Sequence, residues 1–114
     1  MLVELAVRNL GVIEQVTLSM PSGMIALTGE TGAGKTLLVD AISLLVGGRA
    51  HPSLVRPGAE EAVIDGRFEL DGEEIVLSRV VPAEGRSRAY INGRPATAGA
   101  LAEWGERLVD LHGQ

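Results

Sequence analysis

The sequence predicts an α/β domain in which a buried strand leads through a glycine-rich loop into a helix, followed by an antiparallel β-meander. Residues 29–36 read Gly-Glu-Thr-Gly-Ala-Gly-Lys-Thr, which matches the phosphate-loop pattern G-x-x-x-x-G-K-[ST]. A short apolar run precedes this loop, and apolar residues at helical spacing follow it. Asp71-Gly72 and Asn92-Gly93 are two-residue hairpin signals, so antiparallel strands are expected in the second half of the chain.

Two alternating segments precede the loop and predict an antiparallel strand pair. Residues 2–10 and 14–20 each alternate between apolar and polar side chains, which is the pattern of a half-buried strand. Asn9-Leu10-Gly11 is typical of the turn between them. The apolar face of the first segment is expected to consist of Val3, Leu5 and Val7.

The phosphate loop is expected to lie between a strand and a helix. Met24–Thr28 is an apolar run that suits a buried parallel strand, and Pro21-Ser22-Gly23 predicts the turn before it. The helix is predicted over Lys35–Leu45, with Gly47 and Gly48 ending it. Its apolar face is expected to consist of Leu38, Ala41, Ile42 and Leu45.

The meander is predicted from three further segments. After an irregular loop over 49–60, strands are expected over 62–70, 75–81 and 87–91. Gly66 is expected to bend or bulge the first of these strands, because glycine in a strand interior often marks such a site.

A short helix and a last strand are predicted after the meander. Thr97 is a candidate N-cap for the helix, and Leu101, Trp104 and Leu108 fall on one of its faces. Core packing is the expected role of Trp104. Residues 108–111 are then predicted to form a strand.

Composition limits the classes of function. A chain of 114 residues with 46% hydrophobic residues is expected to fold as one domain. Its net charge of −5 argues against a broad basic surface for nucleic acid, and the lack of cysteine excludes disulfides and thiol chemistry. No apolar run approaches the length of a membrane span, and the N-terminus lacks the layout of a signal peptide. A soluble, cytoplasmic protein without a membrane partner is expected.

Each part of the loop suits phosphate binding. Its glycines allow consecutive backbone N–H groups to form an anion-binding nest, and the following helix directs its positive N-terminal end to the same point. Lys35, the only lysine beside nine arginines, suits the β- and γ-phosphates, and the Thr36 hydroxyl is a Mg²⁺ ligand. The predicted nucleotide-binding residues of this segment are Gly29, Glu30, Thr31, Gly32, Ala33, Gly34, Lys35, Thr36 and Leu37.

Hydrolysis needs an acidic residue after an apolar strand as well, to hold Mg²⁺ and polarise the attacking water. Asp110 is the candidate, although the apolar run before it is short. Glu30 lies inside the loop itself, and Asp40 lies more than a turn down the helix. No arginine finger can be assigned. The residues therefore predict a nucleotide-binding unit whose catalytic complement lies elsewhere.

Several arginines are interspersed along the second half of the chain. A solvated position is the ordinary role of this residue type, and from residue type alone it is expected for Arg56 in the loop and for most arginines of the meander. Contact of one or two of the latter with phosphate or DNA stays open. The arginines of the meander considered for such a contact are Arg79, Arg86, Arg88 and Arg94.

Five stretches together resemble the start of the RecN family, bacterial DNA repair proteins among the SMC-like ATPases. They are 2–13, 28–36, 47–50, 87–94 and 111–114. The resemblance covers essentially the whole chain. The phosphate loop is shared by many families, but the combination of stretches is specific.

The resemblance implies a P-loop NTPase fold, with residues 1–114 as the N-terminal lobe of an ABC/SMC-type ATPase head with an antiparallel β-meander. In such proteins a long coiled coil separates this half from a C-terminal half that carries the signature motif, the acidic motif and the switch histidine. Two heads sandwich two ATP molecules. The coiled coil and the C-terminal half are absent from this sequence.

The resemblance also implies roles for individual residues. Lys35 and Thr36 hold phosphate and Mg²⁺, and Gln114 matches the glutamine loop that contacts Mg²⁺ and the attacking water. Arg56 matches an arginine that SMC-like heads place near the nucleotide, and residues 9–12 lie near the base. His112 is expected to be structural, since the switch histidine belongs to the other half.

The implied function is ATP and Mg²⁺ binding within an ATPase that acts in DNA double-strand break repair and recombination, on the nucleoid in the cytoplasm. Lys35 and Gln114 are its expected catalytic residues in this chain. Hydrolysis is expected only with the C-terminal half and head–head dimerisation, with DNA bound by the complete protein and the chain alone inactive. Two alternatives stay open. A stand-alone phosphotransferase would need an arginine-bearing lid and an acceptor site, neither of which the sequence shows, and a non-enzymatic nucleotide-binding or interaction module would need no complement.

Overall fold

The computed structural model describes residues 2–19 and 32–108, and it describes residues 32–36 by their backbone alone. The strands are β1 (Leu2–Leu10), β2 (Ile13–Ser19), β3 (Glu61–Leu70), β4 (Glu73–Pro82), β5 (Arg88–Ile91) and β6 (Arg94–Ala96). The helices are α1 (Gly32–Leu45) and α2 (Ala98–Leu108), with a 3-10 helix at Pro52–Leu54. The turn predicted at 21–23 and the strand predicted at 24–28 lie outside the described residues. Of the strand predicted at 108–111, Leu108 ends α2 and the rest lies outside them.

The described strands form one antiparallel sheet in the order β2-β1-β3-β4-β5-β6. The predicted pair β1–β2 and the predicted meander are both confirmed. At both predicted hairpins the two turn residues have positive φ, +55° and +82° at Asp71 and Gly72, and +53° and +81° at Asn92 and Gly93. These are the signs that a two-residue type I′ turn requires.

The turn between β1 and β2 lies later than predicted. Leu10 pairs with Ile13, so Gly11 and Val12 form the turn instead of Asn9-Leu10-Gly11. Leu10 is completely buried, and its packing keeps it in the strand. Gly11 supplies the positive φ, +56°, at the start of the turn.

The buried face of β1 also differs from the prediction at its start. Leu2, Leu5 and Val7 are buried, whereas Val3 is only half-buried. The register between β1 and β3 shifts between Leu2 and Glu4. This irregularity turns Leu2 toward the core in place of Val3, because one extra residue in a strand inverts the alternation of faces.

Gly66 does not bulge β3, so the predicted bulge there is wrong. The pairing of β3 with β4 is regular through Gly66, which lies opposite Leu77. A Cβ on Gly66 would lie 2.4 Å from Leu45 Cδ1 of α1. The glycine is therefore required by the close approach of helix α1 to the sheet.

Helix α1 ends as the glycines predict. The Gly48 N–H donates to the Ser43 carbonyl at 2.8 Å and the Gly47 N–H to the Leu44 carbonyl at 3.2 Å. With φ of +93° at Gly47, this is the Schellman arrangement.

The buried face of α1 is shifted from the predicted one. Ala41, Leu44 and Leu45 are buried, whereas Leu38 and Ile42 are half-buried. Leu44 was not predicted in the core. Because α1 packs against α2 as well as against β1, β3 and β4, its buried stripe is wider than a single row.

Helix α2 begins at the predicted cap and packs through a glycine. The Ala100 N–H donates to Thr97 Oγ1 at 3.0 Å, the bond expected of an N-cap. Leu101, Gly105 and Leu108 are buried, and Trp104 is partly buried against the core. A Cβ on Gly105 would lie 2.5 Å from Val46 Cβ, so this glycine lets α2 approach the end of α1. Neither described helix is long and apolar enough to span a membrane.

We expect Gly105→Ala to lower the free energy of unfolding by about 1–3 kcal/mol, the usual cost of overpacking, because the added methyl group meets Val46. The matched control is Gly99→Ala on the same helix, where the nearest atom to an added Cβ is Thr97 Oγ1 at 3.7 Å. That variant should be neutral or stabilised by about 0.5–1 kcal/mol, because alanine favours the helix. Urea denaturation measures both, and equal stabilities of the two variants would contradict the packing.

Candidate nucleotide-binding site

Helix α1 begins inside the phosphate-loop motif. It starts at Gly32, three residues before the predicted start at Lys35. The first backbone N–H groups of a helix have no carbonyl partner within the helix, and here they belong to the motif's own residues from Gly32 onward. The first turn of α1 is thus built as an anion-binding helix N-terminus.

Several predicted site residues lie outside the described part of the chain or are described by their backbone alone. Gly29, Glu30, Thr31 and Gln114 lie outside the described residues, as do Asp110 and His112. Gly32, Ala33, Gly34, Lys35 and Thr36 are described by their backbone. The side-chain roles of Lys35, Thr36 and Gln114 stay predictions.

The turn between β1 and β2 contacts α1 directly after the motif. A Cβ on Gly11 would lie 3.0 Å from Leu37 Cδ2, so glycine allows the turn to pack against this leucine. Leu37 follows Thr36 along the chain. The contact therefore brings the Gly11–Val12 turn to the N-terminal half of α1.

The loop before β3 is joined to the same turn by backbone hydrogen bonds. The Gly11 N–H donates to the Leu54 carbonyl at 2.7 Å, and the Arg56 N–H donates to the Asn9 carbonyl at 2.8 Å. Leu10 and Val55 form an isolated antiparallel bridge between these two bonds. Two segments far apart in sequence are thus held side by side.

The side chain of Arg56 is anchored to this turn as well. Its Nη1 donates to the Val12 carbonyl at 3.0 Å, and the residue is half-buried. A freely solvated loop arginine, expected from residue type alone, is therefore wrong. The other guanidinium N–H groups have no acceptor among residues 2–19 and 37–108, so the cation keeps donors that can bind an anion.

A shallow hollow of about 310 Å³ lies beside this arginine. Its lining consists of Asn9, Arg56, Pro57, Gly58 and Ala59. Val12, at the tip of the neighbouring turn, is 71% exposed.

The helix start, the guanidinium and the exposed apolar side chain of Val12 belong to segments that contact one another. The arrangement offers cationic and apolar groups together, as a nucleotide requires. No cluster of three or more His, Asp or Glu residues that could hold a metal ion occurs in the part of the chain that the structure describes.

Arg79 was not predicted as a buried residue. It is 4% exposed, and burial lowers the pKa of its guanidinium below the ordinary value. The signal was present in the sequence, because Arg79 lies in phase with Ile75, Leu77 and Val81 on the apolar face of β4. The other arginines of the meander fit the solvated reading: Arg86 and Arg94 are exposed, and Arg88 forms an exposed ion pair with Glu61 at 3.2 Å.

Known proteins resemble this chain along nearly all of its length. The model of a family described as "AAA domain" matches residues 4–91. DNA repair protein RecN of Streptomyces coelicolor is 45% identical over 95% of the chain and 22% of the relative. RecN of Bacillus subtilis is 40% identical over 100% of the chain and 23% of the relative. The chain thus spans less than a quarter of the length of these relatives.

Solved structures share the fold. The recombination mediator RecF with ATPrS aligns with a TM-score of 0.78 and 25% identity over 89% of this chain and 29% of that one. The SMC head domain of Thermotoga maritima aligns with a TM-score of 0.77 and 24% identity over 90% of this chain and 41% of that one. A structure from work on ATP-driven dimerization and DNA-stimulated activation of SMC ATPases covers 92% of this chain and 77% of that one, with a TM-score of 0.77 and 23% identity.

These likenesses confirm the predicted fold class, the N-terminal lobe of an ABC/SMC-type ATPase head. Strands β2 to β5 and helix α1 fall within the residues that the family model matches, β1 begins just before them, and β6 and α2 follow them. The chain therefore belongs to the AAA domain family, and its predicted resemblance to RecN is confirmed.

Proposed function

We propose that this chain is the ATP-binding N-terminal lobe of a RecN-like, SMC-type ATPase that acts in DNA double-strand break repair and recombination. One observation carries the proposal: α1 begins within the phosphate-loop motif, the Gly11–Val12 turn contacts Leu37 of α1, and Arg56 is hydrogen-bonded to that turn. The RecN relatives, which are DNA repair proteins by name, support the assignment of the process.

The polar groups of the site fit a nucleoside triphosphate with Mg²⁺. Backbone N–H groups of the loop and of the first turn of α1 are proposed to bind the phosphates, since a glycine-rich loop at a helix N-terminus is suited to an anion. Lys35 adds a compact positive charge. The Thr36 hydroxyl and the Gln114 carbonyl oxygen are hard oxygen ligands, which Mg²⁺ prefers. A Mg²⁺ ion held by these residues would supply positive charge against the phosphate oxygens.

Arg56 supplies a second cation at the edge of the site. Because its Nη1 is held by the Val12 carbonyl, the guanidinium is restrained and loses little further entropy when it binds an anion. The nearby residues 9–12 are proposed to lie beside the base, where the exposed Val12 offers an apolar contact.

Hydrolysis is proposed to require the remainder of the head and a second head. The chain spans 22% of the Streptomyces coelicolor relative, and one structural neighbour comes from work on ATP-driven dimerization of SMC ATPases. Residues 1–114 would then form the N-terminal half of a head that acts in the cytoplasm on nucleoid DNA, with DNA bound by the complete protein.

Mixing experiments separate this function from its rivals. The chain is combined with a C-terminal segment of a RecN relative, and phosphate release is followed with and without DNA. We expect turnover only in the mixture. Turnover by the chain alone with a small acceptor would indicate a phosphotransferase, and ATP binding without turnover in either sample would indicate a binding module.

We expect Lys35→Ala to weaken ATP binding by about 10- to 100-fold, which corresponds to the ~1.5–3 kcal/mol of a hydrogen bond to a charged group. Arg94→Ala, which removes an exposed charge at the β5–β6 hairpin, serves as the control and should bind ATP normally. Isothermal titration with Mg-ATP measures both. Unchanged affinity in the lysine variant would refute the assignment of the loop.

Arg56→Ala is expected to reduce ATP affinity about 10-fold, because the anchored guanidinium is lost, with a loss of stability of only about 1 kcal/mol from the single hydrogen bond to Val12. Arg56→Lys should recover part of the affinity, since lysine keeps the charge but not the fork of donors. Fluorescence titration with a labelled ATP analogue measures the affinity. If both variants bind as the parent does, Arg56 has no part in the site.

A further inference from the structure

The buried arginine of the sheet, Arg79, binds the end of α1 opposite to the phosphate loop. Its Nη1 donates to the Leu44 carbonyl at 2.8 Å and to the Gly48 carbonyl at 2.9 Å. Its Nη2 donates to Ser87 Oγ at 3.2 Å. One guanidinium thus links strand β4, the C-terminus of α1 and the segment before β5.

The hydrogen bonds from Arg79 to the helix end are not needed merely to cap α1. The Schellman arrangement already gives the Ser43 and Leu44 carbonyls their N–H partners. The cation also carries a cost, because it is withdrawn from water and its Nε is buried without a partner among the described residues. What Arg79 adds is a directional connection between the helix end and the sheet, reinforced by the negative end of the helix dipole.

The same end of α1 packs closely against two further elements. Leu45 packs on Gly66 of β3, and Val46 packs on Gly105 of α2, each so closely that a Cβ on the glycine would overlap its neighbour. Toward the other end, Leu37 and Leu38 are half-buried and Val39 is 55% exposed. The C-terminal end of α1 is therefore held by β3, α2 and Arg79 together, and the phosphate-loop motif lies at its other end.

A tilt of α1 about its C-terminus would displace the phosphate loop at the other end of the helix. A helix of 14 residues is about 21 Å long, so a tilt of about 5° at its C-terminus would move its first turn by nearly 2 Å. A misplacement of about 1 Å can reduce a rate about 100-fold. A small tilt at the C-terminus of α1 would thus become a larger displacement where the phosphates are proposed to bind.

We propose that Arg79 is a positioning residue for nucleotide binding, which fixes the direction of α1 and so the place of the phosphate loop. The inference rests on the proposed function, since it is the phosphate loop that α1 is taken to aim. Arg79 touches neither phosphate nor metal, and it acts through the Leu44 and Gly48 carbonyls. Its loss is expected to impair binding by more than its effect on folding explains.

The test compares Arg79→Met with a core variant of matched stability. Methionine fills much of the space without the three hydrogen bonds, and Ile75→Ala truncates a buried residue of the same strand, about 13 Å away along β4. Both should lower the melting temperature. At a temperature where both are folded, Arg79→Met should bind Mg-ATP about 10-fold more weakly than the parent, whereas Ile75→Ala should bind as the parent does. Equal affinities of the two variants would overturn the proposal.

Two further variants and a hydrogen-exchange measurement complete the test. Arg79→Lys retains a donor for the helix carbonyls and should recover much of the affinity. Ser87→Ala removes only the hydrogen bond from Arg79 Nη2, and it replaces Arg79→Met in the test if that variant does not fold. Parent-like ATP binding by Ser87→Ala would then count against the proposed role of Arg79. Hydrogen exchange without nucleotide should show faster exchange across 32–36 in Arg79→Met but not in Ile75→Ala. If the parent chain fails to bind ATP, the proposed function fails, while the exchange result still decides whether Arg79 orders α1.

Discussion

The close approach of α1 to the sheet is the constraint on which the described structure depends. Gly66 leaves room for Leu45, Gly105 leaves room for Val46, and Arg79 donates to the Leu44 and Gly48 carbonyls on either side of this pair. A larger side chain at either glycine would push the helix outward. Because protein interiors are close-packed, this would open the core beneath α1 and shift its first turn, which carries the motif.

The corner around the helix start is assembled mainly by backbone hydrogen bonds, with one further bond from the Arg56 side chain. Hydrogen bonds between the Gly11–Val12 turn and the loop at 54–56 hold two segments together that are more than 40 residues apart in sequence. The exposed Val12, which enters this frame through its backbone, can therefore differ in side chain without loss of the frame. Rigid backbone carrying exposed side chains is the usual arrangement of a binding loop on a scaffold.

Local chemistry explains which predictions were confirmed. Asp71-Gly72, Asn92-Gly93 and the Thr97 cap were correct because each depends on the φ values or donors of a few consecutive residues. Gly66, Leu2 and Arg79 were misread because the deciding partner lies elsewhere in the chain: a leucine of α1, a register shift against β3, and two carbonyls at the helix end. The spacing of apolar residues along the sequence cannot reveal a contact with a residue that only the folded structure brings near.

The sequence alone determined the phosphate-loop motif, the hairpins, the helix cap and the family resemblance, because each is recognised from one or several short stretches of consecutive residues. Tertiary structure decided where α1 points, that Arg56 is anchored rather than freely solvated, and that Arg79 is buried against a helix end. The physical reason is the range of the interactions. Backbone propensity acts over a few residues, whereas the direction of a helix depends on packing and hydrogen bonds from strands and helices distant in sequence.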